Sequence, residues 1–155
     1  MEKLLQAQYL QVAEIDLVYR SKVRASERPA IKDSTTAAGI LRLCWDAETI
    51  ELFEEFKVLL LNRANKVLGV VKISSGGVSG TTADPKLIFG AALRAGASGL
   101  IISHSHPSGN LKPSEADKAI TRKLAAGAHL LDISLLDHII ITAESHFSFV
   151  DNGLL

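Results

Sequence analysis

The sequence predicts an α/β fold, a single domain in which a mixed β-sheet is covered by helices. Two β-rich runs, KVLLLN and KVLGVVKIS, flank the polar tetrapeptide NRAN, which has the length of a hairpin loop. A helical pattern, the short continuously apolar run SGLIISHS, a second helical pattern and the run LLDISLLDHIIIT then alternate, and alternation of this kind builds a sheet with helices packed on it. The 155 residues are 47% hydrophobic and 22% charged, the size and composition of one packed core.

Taken in order, Val12, Ile15, Leu17 and Tyr19 alternate partly and predict a strand over residues 10–20, and residues 26–32, with Pro29, read as a linker. A helix begins at Ser34, with Ile40, Leu41, Cys44 and Trp45 at helical spacing. Residues 1–45 are therefore expected to form an N-terminal appendage of strand, linker and the start of the first helix, with the main domain over residues 46–155. Cys44 is the single cysteine; within the apolar pattern ILRLCW it is expected in the core rather than as a nucleophile. After the hairpin, SSGGVSGTTAD is a loop that covers or binds substrate, or only connects. Asp84-Pro85 caps the helix LIFGAALRAG, which closes near Gly96. The third helix, PSEADKAITRKLAAG, is expected to stop at Gly127. The chain ends in a short strand pair around SFV.

Composition removes several function classes. No apolar run approaches the roughly 20 residues that cross a bilayer, and the N-terminus does not read as a secretory signal, so the expected location is the cytoplasm. Seventeen basic and seventeen acidic residues cancel, which leaves no global basic field for nucleic acid. Any such contact is local, at Arg20, Lys22, Arg24, Arg28 and Lys32, a cluster that a solvated linker explains as simply. Zinc deaminase chemistry needs an HxE or CxE motif and a PCxxC pair, and one cysteine excludes it.

The segment HSHPSGNLKPSEAD, residues 104–117, carries the chemistry. His104 and His106 stand two apart at a strand end, so both imidazoles point to one face. The Pro/Gly turn reverses the chain, and Asp117 in the first turn of the next helix can bring a carboxylate back. Two imidazoles and one carboxylate suit Zn²⁺ and leave the fourth tetrahedral position for water, as in catalytic sites. Taken separately, Ser114-x-x-Asp117 is an ordinary helix cap and HxH is a weak signal; their joint spacing points to a metal.

HSHPSGNLKPSEAD resembles the HxHx₇SxxD signature of the JAMM (MPN+) metalloprotease family, and HPSG, PSEAD, LLDHIII and SFVDNGLL resemble its RadC-like bacterial branch. The resemblance covers about residues 50–155. It implies a zinc hydrolase with a cytidine-deaminase-like three-layer arrangement, one Zn²⁺ per chain on His104, His106 and Asp117, and a RadC-like JAMM/MPN+ catalytic domain over residues 46–155. It further implies Ser114 as the oxyanion support, Glu54 as general acid/base with Glu55 as the alternative register, and a protein or peptide substrate. A DNA-associated or protein-binding module with little peptidase activity is the competing reading. RadC-like chains usually carry Asn between the two histidines; Ser105 stands there instead. His129 and His146 are expected at the surface, and His138 as a satisfied sheet histidine rather than a group behind the metal ligands.

Overall fold

The computed structural model describes residues 18–76 and 82–155. Most of the strand expected over residues 10–20 and the middle of the SSGGVSGTTAD loop lie outside these; Val18–Arg20 are not in a strand. A 3₁₀ turn, Ala25–Glu27, and an isolated bridge from Ala30 to Lys66 occupy the expected linker.

Three helices and five strands follow: α1 (Ser34–Leu43), β1 (Glu55–Leu61), β2 (Val67–Ser75), α2 (Pro85–Ala95), β3 (Gly99–Ser105), α3 (Glu115–Leu130), β4 (Ser134–Ile141) and β5 (His146–Ser148). The strands form one mixed sheet in the order β2-β1-β3-β4-β5, with β3 and β4 parallel and the other pairs antiparallel. The parallel pair is joined through α3, because parallel neighbours need a crossover that a tight turn cannot supply.

Period-two alternation sorts the sheet residues into two apolar layers. Phe56, Val58, Leu60, Leu100 and Ile102 pack against Ile88 and Ala92 of α2 and Leu124 and Ala128 of α3. Leu59, Leu61, Ile101, Ile139 and Ile141 face the other way, onto Ala37, Ala38 and Leu41 of α1 together with Trp45 and Ile50. Strand β3 is buried along its whole length, as expected of a strand covered on both faces. The result is a three-layer α/β/α arrangement, and α1 is part of its core. No helix among the described residues is long and apolar enough to cross a membrane.

Local signals account for the helix ends. Asp33 Oδ1 accepts the Thr36 amide at the start of α1, and Asp84 accepts the Lys86 amide before Pro85. Gly96, at φ 63°, closes α2 in the left-handed conformation.

Two expectations are corrected. Helix α3 does not stop at Gly127 but runs on to Leu130. Gly127 is small because Phe89 of α2 lies over it, where an added Cβ would come within 2.8 Å of the ring. Cys44 is exposed rather than in the core. It caps α1 at φ −93°, ψ −5°, and its carbonyl accepts the buried Lys57 ammonium at 2.6 Å; partial desolvation pushes its thiol pKa up, which leaves it a poor nucleophile.

Candidate metal centre

The site sits at the C-terminal ends of the parallel strands, where open α/β sheets place ligands. His104 belongs to the α2/α3 face of β3. His106 follows the strand, and its amide still donates to the Ile141 carbonyl at 2.9 Å, so the extended backbone continues and the ring falls on the same side. The ring centroids lie 4.7 Å apart. The chain then turns over Pro107–Gly109, with Gly109 at φ 78°, a conformation that glycine adopts without steric cost. At the start of α3, Ser114 and Asp117 form a capping box: the Ser114 hydroxyl accepts the Asp117 amide at 3.1 Å, and Asp117 Oδ2 accepts the Ser114 amide at 2.7 Å.

The helix cap and the His104, His106 and Asp117 cluster share one carboxylate. While one carboxylate oxygen closes the box, Asp117 Oδ1 lies 3.1 Å from His104 Nε2; Oδ2 lies 3.8 Å from His106 Nε2. The two Nε2 atoms are 2.9 Å apart. A tetrahedral Zn²⁺ with bonds of about 2.0–2.1 Å holds its ligand atoms ~3.3 Å from one another. The 2.9 Å between the nitrogens and the 3.1 Å from Oδ1 to His104 Nε2 lie near that value, while the 3.8 Å contact to His106 is made by the other carboxylate oxygen. One donor atom from each residue falls within 4.8 Å of the others.

Hydrogen positions follow from the partners. His106 Nδ1 lies 2.5 Å from the Asn110 carbonyl. A carbonyl only accepts, so His106 Nδ1 carries the hydrogen and, in the neutral ring, Nε2 presents a lone pair to the cluster. Burial opposes ionisation of Asp117, but the hydrogen bond and charge of His104 and the amide and hydroxyl of Ser114 outweigh it and hold the carboxyl well below the usual carboxylate range. Asp117 is thus ionised at neutral pH, and its carboxylate faces the two imidazoles.

Glu55 opens β1 and Glu54 stands just before it. Glu55 is committed to lysines: its carboxylate lies 2.8 Å from Lys57 Nζ and 2.9 Å from Lys72 Nζ. Lys57 in turn sits 4.3 Å from the centroid of the Trp45 ring, on the α1 face. Glu54 precedes the strand, but its carbonyl accepts the Gly76 amide at 2.8 Å, so the ladder extends to it. Alternation therefore gives Glu54 the face of Phe56, whose ring stacks on His104 with centroids 6.2 Å apart.

Three neighbours of the site were not among the sequence-predicted residues or were read otherwise. Ser105, buried between the two ligands, accepts the Glu55 amide at 3.0 Å and donates to the Phe53 carbonyl at 3.2 Å. His138 stands behind the ligands: its Nε2 is 2.8 Å from His104 Nδ1 and its Nδ1 is 2.6 Å from Thr121 Oγ1, which corrects its reading as a plain sheet histidine. Thr121 also donates to the Asp117 carbonyl at 2.6 Å; its place four residues after Asp117, on the same helix face, was a usable signal. His129 is exposed and His146 half-buried.

A cleft of about 290 Å³ beside the centre is lined by Glu51, Pro107–Gly109 and residues 142–145. A larger cavity of about 720 Å³, bordered by Asn62, Arg63, His129 and Asp132, lies at the other end of the strands, away from the ligands.

A mixed sheet between helix layers, with an HxH pair at a strand end meeting a helix-cap aspartate, defines the JAMM/MPN-like class. The sequence profile of the RadC-like JAB domain matches residues 31–154, and the chain belongs to that family. Among its relatives are UPF0758 proteins of Flavobacterium johnsoniae (50% identity over 101 residues, 65% of this chain and 44% of that protein) and Trichodesmium erythraeum (45% over 127 residues, 81% and 50%). A third is the Escherichia coli UPF0758 protein YfjY (38% over 102 residues, 66% and 64%). The chain spans about half the length of the curated relatives it matches.

Proposed function

We propose that the chain is a zinc-dependent hydrolase of peptide or isopeptide bonds, with one Zn²⁺ held by His104, His106 and Asp117. The observation that carries this reading is the convergence of the three ligand groups, whose donor atoms all lie within 4.8 Å of one another. Nitrogen donors with one carboxylate oxygen match zinc chemistry, and three protein ligands leave one coordination position for chemistry. When bound, zinc supplies a Lewis acid and makes a water acidic enough to ionise near neutral pH.

The remaining work falls to the chain. Glu54, on the ligand face of β1, takes the proton of the attacking water and returns it to the leaving amine, a role worth roughly 10²–10⁴ in rate. The cap uses the Ser114 oxygen only as an acceptor of the Asp117 amide, so its own proton is left to donate to the developing oxyanion. The side chains of Phe56 and His138 close the floor beneath His104 and keep water from that side.

The test is digestion of a peptide library and of isopeptide-linked substrates by the zinc-loaded chain, alongside zinc content per chain and DNA binding across salt concentrations. Stoichiometric zinc with cleavage that a chelator stops supports the hydrolase. A zinc-free chain with steeply salt-dependent DNA binding would instead mark a DNA-associated module.

A further inference from the structure

We propose that His138 and Thr121 form a positioning relay that decides which nitrogen of His104 faces the metal. This rests on the triad being a metal centre, and it adds residues outside that triad.

Hydrogen-bond direction runs one way around the relay. Thr121 has a single hydroxyl hydrogen and two partners, a carbonyl oxygen and a ring nitrogen. Its Oγ1 lies 2.6 Å from the Asp117 carbonyl, which only accepts, so the hydroxyl hydrogen goes there. The same oxygen lies 2.6 Å from His138 Nδ1 and must accept, which puts a hydrogen on His138 Nδ1. The His138 ring is wholly buried, stacked on Phe149 with centroids 4.4 Å apart and tilted against Phe56, and no carboxylate among the described residues hydrogen-bonds to it. A charged ring there would lack solvation, so His138 is neutral and its Nε2 is bare. That bare nitrogen accepts from His104 Nδ1 at 2.8 Å, which places a hydrogen on Nδ1 and directs the Nε2 lone pair of His104 to the cation.

The relay begins and ends at ligands. Thr121 takes hold of the backbone of Asp117, one turn earlier on α3, and His138 holds the ring of His104 on β3. Strand β4 and helix α3 thereby set the angle between two ligands that come from different elements. Asp137, next to His138, fixes the strand in turn: its carboxylate accepts the His138 and Val150 amides and the Ser148 hydroxyl. Partners of this kind typically change metal affinity 10- to 100-fold when removed.

The decisive experiment reads the imidazole hydrogens of the ¹⁵N-histidine-labelled wild-type chain by two-bond ¹H–¹⁵N NMR, without metal and with zinc. The expected result is a hydrogen on His104 Nδ1 and His138 Nδ1 and none on His138 Nε2 in both states; a hydrogen on His138 Nε2 overturns the relay. Zinc affinity, measured by chelator competition, should fall roughly 10-fold in Thr121→Val and up to about 100-fold in His138→Leu. His138→Gln, whose amide oxygen can accept from His104, should recover most of the loss. Variants that keep wild-type melting temperature and bind zinc within two-fold of wild type would also overturn it. A wild-type chain that binds no zinc removes the metal reading, while the NMR arm still decides the hydrogen-bond direction.

Discussion

The Ser105 hydroxyl accepts the Glu55 amide at 3.0 Å, and the same oxygen donates to the Phe53 carbonyl at 3.2 Å. The two bonds bracket Glu54, so the side chain between His104 and His106 clasps the backbone on either side of the proposed general base. Ser105→Ala leaves a part-buried amide and carbonyl without this partner, at a stability cost of about 0.5–1.5 kcal/mol. It should lower kcat roughly 10-fold while zinc content stays at one per chain, as followed by parallel activity and elemental analysis. Unchanged turnover in a destabilised but zinc-replete variant would show that the clasp serves only the fold.

The two adjacent glutamates should separate cleanly. Glu54→Gln keeps the size of the side chain but cannot take up a proton, so turnover should drop by about 10²–10⁴ with zinc retained. Glu55→Gln should act on stability. Burial opposes ionisation of Glu55, but Lys57 and Lys72 outweigh it and bring its pKa below the ordinary glutamate value. A carboxyl with a lowered folded-state pKa contributes stability that is complete above its unfolded value and lost as pH falls through the folded one. The variant should therefore be about 2 kcal/mol less stable than wild type at neutral pH, since Lys57 keeps the Cys44 carbonyl and the Trp45 ring when its carboxylate is removed. The difference should shrink as the pH falls below about 4, as measured by urea denaturation across pH.

Much of the centre was legible because it is written locally. His104 and His106 follow strand alternation, Ser114 and Asp117 follow helix capping, and both rules act within a few residues of chain. His138 was not, because β4 carries an irregularity: the register with β3 shifts between Leu100 and Ile101, pairing them with Leu135 and Asp137. Parity counted from the start of β4 is therefore lost, and only the folded register places His138 beside Ile102 and beneath His104. Cys44 was misplaced for a related reason. Helical spacing carried the apolar stripe on to Cys44 and Trp45, past the helix end at Leu43, where Trp45 stays buried but Cys44 is exposed.

Removing ligands should show that the cap and the metal triad share Asp117. His104→Ala should lose zinc with a modest effect on α3. Asp117→Ala should lose zinc and also open the capping box, at about 0.5–2 kcal/mol in the metal-free state. Comparing the two variants after chelation separates the contributions: equal metal-free stabilities would mean that the Asp117 carboxylate does not cap α3.

Gly127→Ala tests the corrected reading of α3. Were Gly127 a simple interior helix position, alanine would stabilise the helix by about 0.8–1 kcal/mol through propensity alone. The added methyl group meets Phe89 Cε2 at 2.8 Å and Cζ at 2.9 Å, closer than carbon atoms approach without repulsion, and overpacking of this kind costs about 1–3 kcal/mol. Phe89 packs on the core shared by α2 and α3, so its ring can retreat only by disturbing that contact. The expected balance is a net loss of about 1 kcal/mol in thermal or urea denaturation. A double variant with Phe89→Leu, which clears the ring from above residue 127, should restore the gain from propensity relative to Phe89→Leu alone.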